Sequence, residues 1–340
     1  MDHTTKPIKV YRGDYIESTH QVHVAVVTAA GKLLAYYGDP NRLTFARSSM
    51  KPLQALPTIE SQAVDEYNIS EKELSLFCAS HNGEPFHRKS AADVLEKINL
   101  QESHLQCGTH VPRDTESYKK LIKSGGELTP YYSNCSGKHS GMLAGCVKQG
   151  MDVDTYRELE HPYQQQILDV ISDVTQYERE KIATSVDGCG VPVHRVPLFN
   201  LALAFGRLAK PEDWTAGSEA RKHALTRIRD AMVAYPEMVA GTGRFDTDLM
   251  AAFNKRIVAK GGAEGVHCFG DQQTGIGVAV KVEDGNGRAT NVASMEVIKQ
   301  LKVGNEVIWD KLNTYANAPV LNARQETIGK IEPNFFLHYI

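Results

Sequence analysis

The chain has 340 residues, of which 41% are hydrophobic and 23% are charged, and its formal net charge at pH 7 is −3. This composition is typical of a globular protein with a full core, and the weak charge argues against nucleic-acid and membrane-surface partners. No apolar run is long enough to cross a bilayer, and residues 1–7 lack the apolar core of a signal peptide. We therefore expect a cytoplasmic protein, in which the six cysteines are thiols or metal ligands rather than disulfides.

The first predicted elements are a hairpin and a capped helix. Residues 22–27 and 32–37 are rich in β-branched and aromatic side chains, and a short Ala-Ala-Gly segment joins them. This pattern predicts a β-hairpin. Further along, Ser70 and Glu73 have the spacing of a capping box, which predicts a helix that runs toward Ser80.

The middle of the chain is predicted to be helical and its end to be mixed. Apolar residues recur at helical spacing in four stretches, 156–170, 198–208, 219–233 and 247–258. Glycine-rich breaks at 241–243 and 261–262 precede three more predicted elements, which are a strand (275–283), a helix (293–301) and a terminal hairpin or turn (322–333).

These elements predict an α/β (α+β) fold in which an antiparallel sheet is built from both chain ends and a helical lobe is inserted between them. We expect a single two-lobed catalytic unit over 1–340. Its sheet lobe would span about 1–45 and 260–340, and its helical lobe about 46–259.

A serine and a lysine three residues apart, Ser48 and Lys51, have the arrangement that a histidine-free serine hydrolase needs. A serine hydroxyl is a weak nucleophile until a neighbouring base takes its proton. Residues three apart share a helix face, although Pro52 makes a tight non-α turn the alternative conformation at Lys51. A second pair with this spacing, Ser117 and Lys120, lies in a polar segment and is predicted to be a chance match.

Two further elements follow in the order found in penicillin-recognising serine enzymes: Ser80-His81-Asn82 and Lys260-Gly261-Gly262. The serine of the first could relay a proton, and its asparagine could bind a substrate carbonyl or amine. The second lysine would add a positive field that keeps Lys51 neutral. Two alternatives stay open for this third element, since Lys260 could be a surface lysine before a glycine turn and residues 123–125 also fit the pattern. The latter segment is better explained as a helix end.

The segments 47–52, 80–84, 134–142 and 187–192 together resemble the Rhizobium etli-type (class 3) L-asparaginases over nearly the whole chain. The resemblance implies a serine β-lactamase/glutaminase-like fold, a homodimer, and hydrolysis of the side-chain amide of L-asparagine to L-aspartate and ammonia. It also implies two serine–lysine tandems, which fall on Ser48 with Lys51 and on Ser80 with Lys260.

The resemblance further implies a zinc ion bound by two cysteines and a lysine, which fall on Cys135, Lys138 and Cys189. On the residues alone this is not a standard zinc spacing, and buried cysteines often act only as small hydrophobes. Asp187 and His139 would support the ligands or contact charged groups of the substrate. The chain departs from the family pattern at Asp246, where the family has a cysteine.

The remaining candidate residues have a functional and a structural interpretation each. Arg47 is predicted to clamp the α-carboxylate of the substrate, the alternative being a salt bridge. The histidines His81, His87 and His139 could be general bases, but a hydrogen-bonded structural role is the plainer interpretation because no orienting third group can be assigned.

The sequence thus predicts a serine acyl-enzyme in which Ser48 attacks, Lys51 takes its proton, and Lys260 and Ser80 pass a proton to the leaving ammonia. The two serines could exchange roles. Two other functions stay open, a penicillin-recognising-type serine hydrolase and a non-catalytic amino-acid-binding protein on the same fold.

Overall fold

A computed structural model describes residues 6–340. In chain order its strands and helices are β1 (Ile8–Arg12), β2 (Tyr15–His20), β3 (Val22–Thr28), β4 (Leu33–Tyr37), β5 (Leu43–Phe45), α1 (Lys51–Gln54), α2 (Leu56–Glu60), α3 (Ala63–Glu66), α4 (Glu71–Phe77), α5 (Pro85–Lys97), α6 (Thr115–Lys123), α7 (Ser136–Lys148), α8 (Pro162–Thr175), β6 (Ala183–Val186), β7 (Pro192–Pro197), α9 (Leu198–Ala209), α10 (Glu219–Ala234), α11 (Pro236–Val239), α12 (Phe245–Ala252), β8 (Ile257–Gly262), β9 (Val266–Asp271), β10 (Ile276–Val282), α13 (Gly287–Gln300), α14 (Glu306–Lys311), α15 (Asn313–Ala316), β11 (Pro319–Leu321), β12 (Thr327–Pro333) and β13 (His338–Tyr339).

The first compact unit, the sheet unit, contains the described residues up to Ser49 together with Val196–Trp214 and Asp248–Ile340. Its main sheet is antiparallel and has the strand order β13-β4-β3-β10-β9-β8, so strands from both ends of the chain pair at its centre. Every residue of β10 is buried because α9 and α13 pack against it. Gly277 of β10 permits this contact, since a Cβ there would collide with the Ala202 carbonyl of α9.

The second compact unit, the helical unit, contains Met50–Arg195 and Thr215–Thr247. Helix α7 lies at its centre and packs against α2, α4 and α5. Three glycines of α7 at a spacing of four residues permit close approach, because a Cβ at each would meet a large neighbour. Gly137 lies against Leu76, Gly141 against Phe77 and Gly145 against Tyr163.

The predicted α+β class, with an antiparallel sheet from both chain ends and helices inserted between them, is confirmed. The predicted hairpin is β3–β4, and Ser70 and Glu73 form the predicted capping box at the start of α4. None of the helices within residues 6–340 is both long and apolar enough to cross a membrane.

Two predicted helices have different bounds in the structure. The helix predicted over 247–258 ends at Ala252, because Asn254 and Lys255 both adopt positive φ angles, and β8 begins at Ile257. The helix predicted over 156–170 begins instead at Pro162, where proline suits the first turn and the His161 side chain accepts a hydrogen bond from a backbone N–H.

Candidate active site

Lys51 is the centre of the site in the helical unit. It is the first residue of α1, and its side chain is fully buried. Its Nζ donates hydrogen bonds to the Ala79 carbonyl, to Ser80 Oγ at 3.0 Å and to Cys135 Sγ at 3.2 Å. A buried lysine amine in contact with a serine hydroxyl is the arrangement that proton transfer between the two groups requires.

The local chain explains how Lys51 reaches this position despite Pro52. Residues Arg47–Met50 form a 3-10 helix, and α1 starts directly after it. A proline in the first turn of a helix loses no intrahelical hydrogen bond, so the helix can begin at Lys51. The tight turn that Pro52 suggested therefore precedes the lysine rather than containing it.

Ser80 lies on a short loop after α4 that is fixed by backbone hydrogen bonds. Its N–H donates to the Val239 carbonyl at 2.8 Å, and the N–H of His81 donates to the Asn134 carbonyl at 3.2 Å. The Ser80 side chain is half-buried, whereas Ala79 before it is fully buried. The hydroxyl is thus held at the edge of the core beside Lys51.

His81 is a buried structural neighbour of Ser80. Its Nδ1 accepts a hydrogen bond from the Gly83 N–H, so its Nε2 carries the ring proton and donates to Ser136 Oγ at 2.9 Å. Burial, followed by the charge of the stacked His87 ring, holds the His81 pKa well below its usual range. A neutral ring with both nitrogens engaged agrees with the structural interpretation of this histidine.

Asn82 uses its amide to bind a loop of the same unit. Its Nδ2 donates to the Thr242 carbonyl at 3.1 Å, and Arg244 Nη1 donates to its Oδ1 at 3.1 Å. The carboxylate of Glu84 accepts from the Thr242 N–H at 3.0 Å. The sequence predicted that Asn82 contacts the substrate. It gave no role to Arg244, because the hydrogen bond of Arg244 to Asn82 forms only in the folded loop.

The sheet unit carries Arg47, Ser48 and Lys260. Ser48 is half-buried in the 3-10 helix, and the Arg47 guanidinium lies 3.9 Å from the carboxylate of Glu264. Lys260 is buried in β8 and donates to the Gly261 carbonyl at 2.6 Å, so it is not a surface lysine before a turn.

The strand that carries Lys260 ends against the segment that carries Ser48. A Cβ on Gly262 would lie 2.7 Å from the Ala46 carbonyl oxygen and 3.3 Å from the Ser49 nitrogen. Only glycine permits this approach of β8. The structure therefore brings Lys260 into the neighbourhood of Ser48, and it brings Lys51 and Ser80 into direct contact.

The predicted zinc ligands Cys135, Lys138 and Cys189 form a buried polar cluster in the helical unit. Lys138 Nζ donates to Cys189 Sγ at 2.9 Å, and Asp187 Oδ2 lies 3.6 Å from the same sulfur. A hydrogen bond from Cys135 is the main cause that holds the pKa of Cys189 far below its usual range, and this bond together with burial raises the pKa of Cys135. Burial on its own would lower the pKa of Lys138. The neighbouring Cys189, Cys135 and Asp187 outweigh this effect, so the pKa of Lys138 is raised above its ordinary value.

The two cysteines of this set fit a zinc ion by type, and the Lys138 nitrogen would fit once it has lost a proton. Thiolates are good zinc ligands, and the three side chains converge. The present 2.9 Å contact of Lys138 with Cys189 is a hydrogen bond, since two ligands of one tetrahedral zinc would stand about 3.6 Å apart. A zinc ion would therefore displace the proton that links them. Among residues 6–340 no group of three or more histidine, cysteine, aspartate and glutamate side chains could hold a metal ion.

His139 and Tyr156 lie beside this cluster. His139 Nδ1 is 2.6 Å from the Tyr156 hydroxyl, and that hydroxyl accepts a hydrogen bond from the Gln106 N–H at 2.9 Å. Burial lowers the pKa of His139 to about 4. Tyr156 was predicted only as part of an apolar helical stripe, so its contact with His139 had no signal in the sequence.

A family model and several solved structures are similar to this chain. The model described as L-asparaginase II matches residues 8–333. No match to a curated protein sequence reaches significance. The structure of Mglu in its native form is similar with a TM-score of 0.46 and 12% identity, over 84% of this chain and 62% of that one, so this chain spans less than two thirds of the length of Mglu. A β-lactamase from Mycobacterium bovis is similar with a TM-score of 0.40 and 14% identity, over 87% of this chain and 95% of that one. A class C β-lactamase from Rhodobacter sphaeroides is similar with a TM-score of 0.43 and 15% identity, over 83% of this chain and 95% of that one.

Proposed function

This chain belongs to the L-asparaginase II family, and from that premise we propose that it hydrolyses the side-chain amide of L-asparagine to L-aspartate and ammonia. The observation that carries this proposal is the contact of the buried Lys51 Nζ with the half-buried Ser80 Oγ at 3.0 Å. A binding protein has no need of an amine placed against a hydroxyl inside its core, whereas acyl transfer through serine does.

The proposed reaction uses both serine–lysine tandems. Ser48 attacks the amide carbon and forms an ester with the substrate, while Lys51 takes the serine proton. Ser80, in contact with Lys51, passes a proton to the nitrogen as the C–N bond breaks and ammonia leaves. Water then attacks the ester and releases aspartate. Lys260, together with Ser80, takes part in that proton transfer to the leaving ammonia.

We propose that the amino-acid part of the substrate is held by Arg47, Asn82, His139 and Asp187. A guanidinium can bind a carboxylate with two parallel hydrogen bonds, which is the geometry we propose for Arg47 and the substrate α-carboxylate. Asp187 would pair with the substrate ammonium. Charge complementarity supports the assignments of Arg47 and Asp187, and hydrogen-bonding capacity supports those of Asn82 and His139.

The first test is ammonia release from L-asparagine and L-glutamine in parallel, with purified protein and with or without added zinc. We expect release from asparagine and little from glutamine. A folded protein that releases ammonia from neither amide would contradict the proposal, and acylation by a penicillin would then favour the penicillin-recognising-type hydrolase. A thermal shift with asparagine but no turnover would favour the amino-acid-binding protein.

The roles of the two serines can be separated with single variants. We expect Ser48→Ala to abolish turnover and the ester intermediate seen by intact-protein mass spectrometry. Ser80→Ala should slow ammonia release by about 10²–10⁴-fold while the ester still forms. If the ester forms in Ser48→Ala and not in Ser80→Ala, Ser80 is the nucleophile and the roles are exchanged.

We propose that Cys135, Lys138 and Cys189 bind one zinc ion, which when bound would supply a positive charge that orients the substrate. Metal content per chain checks this in the purified protein. Cys189→Ser should lower zinc occupancy, and Cys146→Ser, which changes a buried cysteine outside the cluster, should retain it. Equal zinc content in both variants would place the metal elsewhere.

We also propose that the chain forms a homodimer, as the resemblance implies, and that it is cytoplasmic, as expected from its sequence. Sedimentation velocity measures the oligomeric state directly, and fractionation of the native host tests the location. A monomer over the whole concentration range would contradict the first of these proposals without affecting the reaction.

A further inference from the structure

We propose that Arg244 is a positioning residue that fixes the orientation of the Asn82 side-chain amide, so that Asn82 presents an N–H to the α-carboxylate of the substrate. The inference deepens the proposed function and rests on it for the identity of the substrate. The orientation of the amide itself follows from contacts within the helical unit alone.

The two ends of the Asn82 amide face groups that can each take only one part in a hydrogen bond. Arg244 Nη1 lies 3.1 Å from Oδ1, and a guanidinium can only donate. Nδ2 lies 3.1 Å from the Thr242 carbonyl, which can only accept. A rotated amide would place its N–H groups against the guanidinium and its oxygen against the carbonyl. Only the observed orientation satisfies both neighbours.

One hydrogen of the Asn82 amide is left for a ligand. Nδ2 carries two hydrogens, and within residues 6–340 the Thr242 carbonyl is the one acceptor that it contacts. Asn82 is only 7% exposed, and a buried N–H is rarely left without an acceptor. We therefore expect the second acceptor to arrive with the substrate.

The amide cannot turn easily, because the loop that carries Arg244 lies against it. A Cβ on Gly241 would lie 2.6 Å from Asn82 Nδ2 and 2.7 Å from its Cγ, so the bare backbone of this glycine packs on the amide. Gly241 has a φ of +110°, which glycine adopts without strain. The Thr242 N–H donates to the carboxylate of Glu84 at 3.0 Å, and this bond ties the loop to the segment after Asn82.

The charge of Arg244 determines which part of an amino acid Asn82 can contact. A guanidinium is always charged in a protein, and at 3.1 Å from Oδ1 it would repel an ammonium group that approached this oxygen. Its donation to Oδ1 also polarises the amide and strengthens the remaining N–H as a donor. The α-carboxylate is the acceptor of L-asparagine that carries a negative charge, so it matches this environment best.

Ser80 has supports of its own, although it lies only two residues before Asn82. Its N–H donates to the Val239 carbonyl at 2.8 Å, and its Oγ lies 3.0 Å from Lys51 Nζ. Neither of these contacts involves the guanidinium of Arg244. Loss of the guanidinium should therefore weaken the binding of the amino acid and leave the serine beside its lysine.

The first test is Arg244→Met in the full chain, which removes the guanidinium and keeps an apolar stem. We expect the KM for L-asparagine to rise about tenfold while kcat changes less than about threefold, because a contact with the bound ground state is weakened. Arg227→Met is the matched control. Arg227 pairs with Asp65 in the same unit, and its loss should leave both constants unchanged.

Two outcomes of this comparison would overturn the proposal. Equal KM effects in Arg244→Met and Arg227→Met would show a general effect of removing a charge. A fall in kcat with KM unchanged would place Asn82 on the reacting amide instead of the α-carboxylate.

Asn82→Asp tests the direction of the hydrogen bond to the substrate. Aspartate keeps an acceptor for Arg244 but has no N–H, and its charge repels a carboxylate, so KM should rise by at least about tenfold. If Asn82 instead accepted a hydrogen bond from the substrate ammonium, aspartate would bind that ammonium more tightly. An unchanged or lower KM would therefore overturn the proposal.

A double-variant cycle shows whether Arg244 acts through Asn82. Asn82→Ala has no amide to orient, so adding Arg244→Met to it should not raise KM further. A tenfold effect that persists in the Asn82→Ala background would overturn the proposal, because the guanidinium would then contact the substrate or support the fold by itself.

Binding of L-aspartate, the expected product, tests the inference without turnover, since this ligand has the same α-carboxylate. Its dissociation constant, measured by calorimetry, should rise about tenfold in Arg244→Met and stay unchanged in Arg227→Met. Equal affinity of Arg244→Met and the unaltered chain would overturn the inference even if L-asparagine is hydrolysed. Absence of asparagine hydrolysis by the unaltered chain would instead refute the proposed function, and the two failures are therefore distinguishable.

Discussion

Three buried lysines dominate the chemistry of this chain at the scale of single residues. Lys51, Lys138 and Lys260 are at most 3% exposed, and each has polar neighbours. A lysine side chain is costly to bury unless its nitrogen is hydrogen-bonded or is in the neutral amine form. Positions with this cost are typical of functional sites, where the local environment is adapted to a reaction rather than to stability alone.

We predict that Lys51→Met lowers kcat by at least about 10³-fold, because the variant lacks the amine that takes the serine proton. Methionine has a similar volume but cannot donate to the Ala79 carbonyl and Ser80 Oγ, so we expect the variant to fold with some loss of stability. Steady-state ammonia release and urea unfolding measure the two effects.

Lys120→Met is the control for this variant. Lys120 belongs to the second serine–lysine pair of the sequence and is exposed on α6, so kcat should not change. A Lys51→Met variant that retains a tenth or more of the activity would exclude Lys51 as the base.

The sequence could indicate candidate residues but not their partners. Ser48, Lys51, Ser80 and Lys260 were found from short motifs and predicted as the tandems Ser48–Lys51 and Ser80–Lys260. The direct contact of Lys51 with Ser80, which joins the two tandems, was not predicted. Arg244 was missed because its partner Asn82 is far away in the chain, and only the fold brings the two together.

At the scale of elements, the glycine stripe of α7 determines how the site is built. Glycine inside a helix is unfavourable by propensity, so three glycines in one helix indicate that space is limiting. Their spacing of four residues puts them on one face, which lies against Leu76, Phe77 and Tyr163. Helix α7 also carries Lys138 and His139. Its close packing therefore fixes two residues of the polar cluster.

We predict that Gly141→Ala lowers the free energy of unfolding by about 1–3 kcal/mol, because the new Cβ would lie 2.6 Å from a ring carbon of Phe77. This loss should exceed the gain of about 1 kcal/mol in helix propensity. Urea denaturation measures the difference. In the control Gly287→Ala, at the start of α13, no atom lies within 4 Å of the new Cβ, and stability should be unchanged or higher. Equal effects in both variants would contradict the role of packing.

The predicted elements were accurate where local signals act alone. The capping box of α4 and the β3–β4 hairpin depend on neighbouring residues, and both were found. The end of α12 was missed because two residues with positive φ and the pairing of β8 with β9 override the helical pattern. Periodicity also gave no indication that α9 packs on the main sheet.

At the scale of the whole molecule, buried histidines make stability depend on pH. Burial lowers the pKa of His87 to about 4 and that of His194 to about 4. A histidine in the unfolded chain has a pKa of about 6.5, so between these values the unfolded state binds more protons. The stabilising effect is complete above about pH 6.5 and is lost as the pH falls toward 4.

We therefore predict that the free energy of unfolding decreases between pH 7 and pH 5. Urea unfolding at several pH values measures this decrease. In His87→Gln, which retains a donor for the Glu237 carbonyl, the decrease should be smaller because one protonation site is absent. A constant or rising stability on acidification would contradict the prediction.

The order in which the segments of the sheet unit occur along the chain has a consequence for synthesis. Strand β3 is made early, and β4 follows it at once and covers one of its edges. Its other partner, β10, lies roughly 250 residues further along the chain. During translation the ribosome thus releases a hairpin with an unpaired apolar edge, and about four fifths of the protein must be made before β10 can close that edge. A nascent chain stalled before residue 276 would expose this edge to other chains, and such intermediates are where chaperones act and aggregation begins.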